Sequence, residues 1–399
     1  MILILGMNQP HDSSYSVAWI KSIAEIDQAQ WDALAKPLPT PFLEWEWLRQ
    51  METSKSTTAE TGWLPHHLTV WSHGELIAAA PLYIKTHSAG EFVFDHAWAD
   101  VAQHLKISYY PKLVGMSPFT PMIGYRFLIA SGEKENNLTR YMVDEIVQLC
   151  RRYRLSGCSF LFVDPQWRRL MTNHGFISWL HQSFTWQNER YRAFDDYLAV
   201  FNSNQRHNIK RERQSIAKQG VELKIFEGNG IPRAFFSEIY SFYERTNDKF
   251  GPWGCKYLTE HFFKGLADGY RQRLVFVAAF EKPHPASPIG LSLLVRKGDQ
   301  LFGRYWGCSK EVNHLHFNVC YYSPIEWAIA NGINRFDPGM GGYHKIRRGF
   351  TAVANYSLHR FFDQRLMHIM DAHIEEINQL EQEHIDELNL ELPLARKNL

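Results

Sequence analysis

The chain has 399 residues, 45% of them hydrophobic and 21% charged, which suits two or three globular domains and excludes a disordered or fibrous chain. Its 43 basic and 42 acidic side chains leave a net charge of +1, so no chain-wide field draws it to nucleic acid or to a membrane surface. Five cysteines, an odd number with no Cys-x-x-Cys pair, argue against a disulfide scaffold and a four-thiolate zinc site and suit a reducing compartment.

Taken in order, the apolar run Met1–Gly6 is too short for a signal peptide and lacks basic residues ahead of it. Nowhere does the chain approach the ~20 apolar residues needed to cross a bilayer. The expectation is a cytoplasmic protein with no transmembrane segment. A helix is predicted at 24–34. Strands follow at 67–71 and 76–85 around the turn Ser72-His73-Gly74, and a further strand at 91–94. The same order returns later: a helix at 232–247, strands at 274–280 and 288–295, the turn Lys297-Gly298-Asp299, and a strand at 300–306. A helix at 320–331 then stops at Gly332, and a last strand at 335–337 enters a glycine-rich loop.

The second series echoes the first residue by residue at a spacing of about 210. Residues 76–85 match 289–297, 90–94 match 298–302, Trp98 matches Trp306, and Tyr109-Tyr110 match Tyr321-Tyr322; 42–48 match 257–263 more loosely. This predicts an internal duplication: one unit over 1–187, a second over 188–363, and a tail at 364–399. The tail carries a net charge of −6 from Asp371 onward and a partial apolar stripe, Ile374, Ile377, Leu380 and Leu388. It is expected to pack on the body as an amphipathic helix or to meet a partner.

Two basic clusters stand out from the neutral background. Arg206, Lys210, Arg211, Arg213 and Lys218 against Glu212 give a segment of charge +4, and at helical spacing 206 and 210 share one face suited to phosphate. The second, Gly339-Met-Gly341-Gly342-Tyr-His344-Lys345-Ile-Arg347-Arg348, directly follows the last strand. There glycines expose backbone N–H groups and a loop at a strand's C-terminal end commonly meets a ligand. In it His344 can act as acid or base and Lys345 can stabilise an oxyanion. The aromatic strand Arg304-Tyr305-Trp306 is a candidate carboxylate or phosphate grip. Asp95, set among Phe92, Phe94 and Trp98, is a candidate base with a raised pKa. Histidine pairs lack a third and fourth ligand at recognised spacing, so no metal is expected.

Helices, a hairpin meander, a helix and a strand form the layout of a GNAT-type N-acyltransferase. The predicted class is therefore α/β, two tandem GNAT-like units with mixed sheets flanked by helices. The runs Gly62–Leu68, 78–85, 87–95, Tyr109-Tyr-Pro-Lys-Leu113, Pro118-Phe-Thr-Pro121, Asn208–Arg213, Phe302–Gly307 and His344-Lys345-x-x-Arg-Gly-Phe350 resemble a bacterial family of predicted N-acyltransferases, the FemAB-like or peptidoglycan biosynthesis/recognition family. That family resembles the Fem-type aminoacyltransferases, which move an amino acid from aminoacyl-tRNA to the peptide of a cell-wall precursor. The resemblance places Lys345 at the scissile carbonyl. It sets Thr246 and Lys249, in Thr246-Asn-Asp-Lys249, near substrate phosphate, which Arg206, Lys210, Arg211 and Arg348 are expected to hold by their own charge. One departure is plain. The family has Gly-Gln-Gly-Glu ahead of His-Lys, whereas this chain has Gly339-Met-Gly341-Gly342-Tyr343, with no glutamate.

GNAT enzymes that use acyl-CoA cradle its pyrophosphate in an (Arg/Gln)-x-x-Gly-x-(Gly/Ala) loop. The corresponding stretches here, 307–314 and 99–104, have no such loop. The expectation is an N-acyltransferase with no permanently bound cofactor, taking aminoacyl-tRNA as co-substrate and an amine acceptor, a peptidoglycan precursor by the resemblance. An acyl-CoA-dependent acetyltransferase and a non-catalytic module that binds cell-wall peptide or RNA remain open at this point, as does the oligomeric state.

Overall fold

The computed structural model describes residues 15–283 and 287–395. The Met1–Gly6 run lies outside the described residues. The strands are β1 (Tyr15–Ile20), β2 (Trp63–Pro65), β3 (His67–Ser72), β4 (Glu75–Ala80), β5 (Leu82–Lys85), β6 (Lys112–Gly115), β7 (Leu128–Ile129), β8 (Gly157–Phe160), β9 (Ile177–Gln187), β10 (Val221–Glu227), β11 (Leu274–Glu281), β12 (Gly290–Lys297), β13 (Gln300–Cys308), β14 (Arg335–Asp337) and β15 (Thr351–Phe361). Four of them form a small sheet, β1-β3-β4-β7. The other eleven form one continuous sheet in the order β10-β11-β12-β13-β14-β9-β15-β8-β6-β5-β2.

The large sheet is covered on both faces, and β11 shows why its sequence is an unbroken apolar run. Phe276, Ala278 and Phe280 pack with Phe235, Phe236 and Ile239 of the helix Phe235–Asp248. The alternate residues Val275, Val277 and Ala279 pack with Ile325 and Ala328 of the helix Ser323–Ala330 and with Ile209 of the helix Ser203–Lys218. Successive side chains point to opposite faces, so a strand buried on both sides has no polar positions to alternate with.

The strand pairings repeat. In one half β1, β3 and β4 form an antiparallel meander, β5 pairs antiparallel with β6, and β6 pairs parallel with β8. In the other, β10, β11, β12 and β13 are antiparallel in turn, and β13 pairs parallel with β14. Thus β4 and β5 together stand where β12 stands. The predicted strand 76–85 is broken at Pro81, which has no N–H for a ladder, and its two pieces enter different sheets. The sequence echo runs parallel to the strand order up to this point and departs from it beyond. Residues 91–94 are loop rather than strand, with Phe92 at φ +57° and Asp95 N–H bonded back to Val93. Trp98 lies in the helix His96–His104 while Trp306 lies in β13. The counterpart of β13 is β6, displaced by the intervening loop and helix.

At the centre of the sheet the two halves exchange strands. β9 lies between β14 and β15, and β15 lies between β9 and β8. Each is 11 residues long, and they pair antiparallel from Thr351↔Thr185 to His359↔Ile177. The acidic C-terminal segment is the helix Gln364–Leu390, laid across this pair. Asn378 accepts from Leu180 N–H and donates to Ser178 C=O, and Asn389 does the same for both backbone groups of Ala352. Those backbone groups stand where β9 and β15 outrun their outer neighbours, so the helix satisfies them in place of a strand. Beyond it the chain pairs Leu394 with Phe201 at the foot of the helix Ser203–Lys218. No helix among the described residues is long and apolar enough to cross a membrane.

Candidate active site

The parallel pairing of β13 and β14 lasts only three residue pairs, Gln300↔Arg335, Leu301↔Phe336 and Phe302↔Asp337. Beyond them β13 runs on to Cys308, while the other chain turns away at Pro338. The strands part at their C-terminal ends, the usual ligand position in such sheets, and a cavity of about 660 Å³ opens in the gap. Three features shape it. The β12–β13 register shifts so that Leu293 faces Tyr305 and Leu294 faces Gly303, leaving Arg304 as the extra residue of a bulge. A Cβ on Gly307 would come within 2.3 Å of the Phe242 carbonyl, so only glycine lets the helix Phe235–Asp248 lie this close to β13. That helix brings Tyr243, Thr246 and Asn247 to the wall. The opposite wall is the glycine-rich loop, with Gly339, Gly341 and Gly342 all in the left-handed region at φ +84°, +68° and +89°.

Lys345 follows on the short 3₁₀ segment Tyr343–Arg348 and lines the cavity at 2% exposure. Its Nζ donates to the Gly339 and Met340 carbonyls at 2.6 and 3.0 Å and lies 5.4 Å from the Phe184 ring centre. An ammonium has three N–H groups, so one is left over. Burial pulls its pKa down to about 8, against the pull of the Asp337 carboxylate. Asp337 itself is buried, accepts from Gly339 N–H at 2.9 Å, and is pushed up by burial.

His344 shares a hydrogen bond of 2.9 Å with the Tyr321 hydroxyl through Nε2. Burial first, then the Arg348 and Lys345 cations, hold its pKa down at about 4, so the imidazole is neutral at neutral pH. Tyr321 reaches it from a π-helical turn, Asn318–Tyr322, an insertion of the kind that re-aims side chains at functional sites. His316 stacks on Trp306 at 4.4 Å and is pushed down to about 3, chiefly by burial.

Of the residues singled out from the sequence, the structure brings Lys345, His344, Thr246, Arg304, Tyr305 and Trp306 together around this cavity. Thr246 bonds the Trp306 carbonyl at 3.3 Å. Lys249 stands beyond it, exposed and paired with Glu311 at 2.6 Å. Arg348 lies behind the loop, 3% exposed, bonded to Glu212 and the His344 carbonyl at 2.8 Å each and stacked 3.3 Å over Phe317. It locks the loop to the helix Ser203–Lys218. On that helix Arg206 bonds the Phe201 carbonyl at 3.0 Å, whereas Lys210 and Arg211 are exposed and make no ion pair among the described residues. Asp95 lies outside the cavity. It is buried against Lys112 at 2.5 Å and the Tyr109 hydroxyl at 2.8 Å. Burial works against its charge, but Lys112 and Tyr109 outweigh burial and hold its carboxyl below the usual range. The predicted rise is reversed.

Sequence reasoning missed Asp337 beside Lys345, the Tyr321 partner of His344, and an aromatic wall of Phe92, Phe119, Tyr243 and Tyr257. Asp337, directly ahead of Pro-Gly at a strand end, was a readable signal. The aromatic wall was not, because Phe119 and Tyr257, stacked at 5.2 Å, come from distant segments.

A parallel strand pair met twice in one sheet, and opening into a cavity at its second occurrence, defines an α/β protein of two GNAT-like units. The chain belongs to the FemAB-like family, described as peptidoglycan biosynthesis/recognition, which it matches over residues 22–396. Its fold is similar to that of FemX, at 12% identity and a TM-score of 0.54 over 86% of this chain and 98% of that one. It is also similar to the C-terminal domain of a putative lysylphosphatidylglycerol synthetase from Agrobacterium fabrum, at 9% identity and a TM-score of 0.53 over 88% and 96%. No curated protein matches the sequence.

Proposed function

We propose that the protein is an N-acyltransferase that moves an aminoacyl group, carried as a tRNA ester, onto an amine of a cell-wall precursor peptide. The chain is read as two units, 1–187 and 188–363, of which the second carries the chemistry. The observation that carries this reading is Lys345. It is a buried lysine at the parting of two strands that lines the cavity, held by two carbonyls and left with one N–H that no acceptor among the described residues meets. Such a donor is fixed before the reaction and serves the oxygen of a carbonyl as it becomes an oxyanion. The acceptor nitrogen attacks the ester carbonyl, the tetrahedral oxyanion takes the Lys345 N–H, and the C–O bond to the donor breaks. When Nε2–H of His344 is given to the Tyr321 hydroxyl, Nδ1 is free to take the proton shed by the attacking amine. That proton then returns to the leaving oxygen. No covalent enzyme intermediate is required once the two reactants are held together.

The tRNA donor is supported by Lys210, Arg211 and Arg347, exposed beside this loop and unpaired among the described residues, and by the family. The test is transfer of a labelled amino acid from aminoacyl-tRNA to an amine-bearing muropeptide. Lys345→Met is expected to lower it by about 10²–10³-fold. Burying the ammonium costs about 3 kcal/mol, and leaving two carbonyls unpaired costs a similar amount, so the variant should melt near the wild-type temperature. A folded, fully active Lys345→Met would overturn the mechanism. Transfer that survives RNase and needs acyl-CoA would overturn the donor.

A further inference from the structure

The cavity is unusual in its charge. Among the described residues its wall holds Lys345 and Arg304 and no aspartate or glutamate. Asp337, buried behind Lys345, is within electrostatic reach of Lys345, Arg335 and Arg304. Arg304 has no ion-pair partner among the described residues. Its Nη2 donates to the Phe119 carbonyl at 2.8 Å and approaches the Tyr305 hydroxyl at 3.2 Å, while its Nε is buried and bonded to nothing. Nη1 makes no hydrogen bond among the described residues and, unlike Nε, is not buried, so it is the N–H group left for a ligand oxygen. The bulge at Arg304 sets the guanidinium at the wall, and the Phe119 carbonyl and the Tyr305 ring, 5.0 Å away, fix its plane.

Resting on the reading of this cavity as the transfer site, we propose that Arg304 binds a carboxylate of the acceptor. The acceptor is then an amine that also carries a free, unamidated carboxyl group. The donor's phosphates are assigned to Lys210, Arg211 and Arg347 outside the cavity, its reacting carbonyl is an uncharged ester, and its aminoacyl group brings an ammonium rather than an anion. The anion that fits two cations in an aromatic cavity therefore comes from the acceptor. Lys345 is committed to the oxyanion and Arg304, through the N–H groups that Phe119 and Tyr305 leave free, to the carboxylate.

Binding of simple probes tests this without donor or turnover. Phenylacetate, its neutral analogue phenylacetamide, and phenyl phosphate are titrated into the full-length protein and followed by ligand-observed NMR. Phenylacetate should bind at least about tenfold more tightly than the amide. Arg304→Gln should bring the two together, and Arg304→Lys, which keeps the charge and loses the fork, should leave a preference of only a few-fold. Equal binding of acid and amide to the wild type, or a preference that survives Arg304→Gln in a protein with an unchanged melting curve, would overturn the proposal. If Arg304→Gln does not fold, an undiminished preference in Arg304→Lys overturns it. Phenyl phosphate binding more than tenfold tighter than phenylacetate would replace the carboxylate by a phosphate. Loss of transfer on changing Lys345 leaves these bindings untouched, and their failure leaves the transferase reading standing.

Discussion

The two halves of the sheet part their parallel strands in the same way and use the gap differently. After β6 and β8, the space beyond Gly115 and Phe160 is filled. Tyr125 donates to the Pro81 carbonyl at 3.0 Å and stacks on Phe160, and Trp167 and Phe127 close behind. After β13 and β14 the space is left open and lined. Each half also buries two lysines, Lys85 and Lys112 in the first and Lys297 and Lys345 in the second, and Lys112 and Lys345 make the contrast. Lys112 is clamped by Glu91 and Asp95 at 2.9 and 2.5 Å, and although burial would depress it, those carboxylates and Tyr109 hold it charged well above its ordinary value. Lys345 has two carbonyls instead, and burial wins. Burial alone therefore does not make a lysine chemically useful. What decides is whether its charge is already matched by fixed carboxylates or left for a ligand to match.

The comparison breaks first, and most strongly, at Lys112. Lys112→Met leaves Glu91 and Asp95 buried without their cation and should destabilise the fold by about 3–5 kcal/mol, read from denaturant unfolding. A variant as stable as wild type would mean that the clamp is not structural. The glycines offer a matched pair. A Cβ on Gly115 would lie 2.4 Å from both Phe160 and the Tyr125 hydroxyl, so Gly115→Ala overpacks a filled gap and should cost about 1–3 kcal/mol. At Gly342, φ is +89° and a Cβ would lie 2.5 Å from the His344 ring. Gly342→Ala should displace His344 and lower transfer about tenfold, while strain costs only about 1 kcal/mol of stability. The opposite pattern, activity lost at Gly115 and stability at Gly342, would exchange the roles assigned to the two gaps.

The cavity was partly legible because its chemistry is local in sequence. A strand followed by glycines and a His-Lys pair announces a loop that approaches a ligand, and Arg304-Tyr305-Trp306 lies on the facing strand. Asp95 was misread because the aromatics around it were visible and its partner Lys112, 17 residues away, was not. The same acid is raised by apolar burial and lowered by a cation, so composition nearby cannot give the sign. The repeated strand order was legible through the first hairpins and lost after Pro81, where a loop and a helix intervene. The exchange of β9 and β15 left no trace in the sequence, since a strand's alternation does not say which neighbour it joins.

The two lysines also differ in where they titrate. Lys345 is charged below about pH 8 and neutral above it, so its help to the oxyanion is present at neutral pH and lost as pH rises through about 8. Deprotonation of the acceptor amine raises the rate with pH in every variant alike, so the comparison is with Lys345→Arg, which stays charged. The ratio of wild-type to Lys345→Arg rates should be flat from pH 6 to 7.5 and then fall, by up to about tenfold per unit. A constant ratio through pH 9 would place the titration elsewhere.

The smallest effect expected concerns the surface beside the open gap. Arg213 is paired with Glu326 and Arg206 is bonded to the Phe201 carbonyl, so part of the basic segment is used internally. Lys210, Arg211 and Arg347 are exposed and unpaired among the described residues, and Gln205 ties their elements together by donating to the Arg347 carbonyl at 2.6 Å. They form one basic face from the helix Ser203–Lys218 to the loop that carries Lys345. Each phosphate contact contributes roughly 0.9 to the salt dependence of binding. Changing both Lys210 and Arg211 to alanine should weaken tRNA binding about tenfold at low salt and flatten the plot of log affinity against log salt by roughly two units. Binding of phenylacetate in the cavity should not change. Filter binding across a salt series reads both quantities. An unchanged slope would show that phosphate is held elsewhere, and that the open gap receives its donor from another side of the sheet.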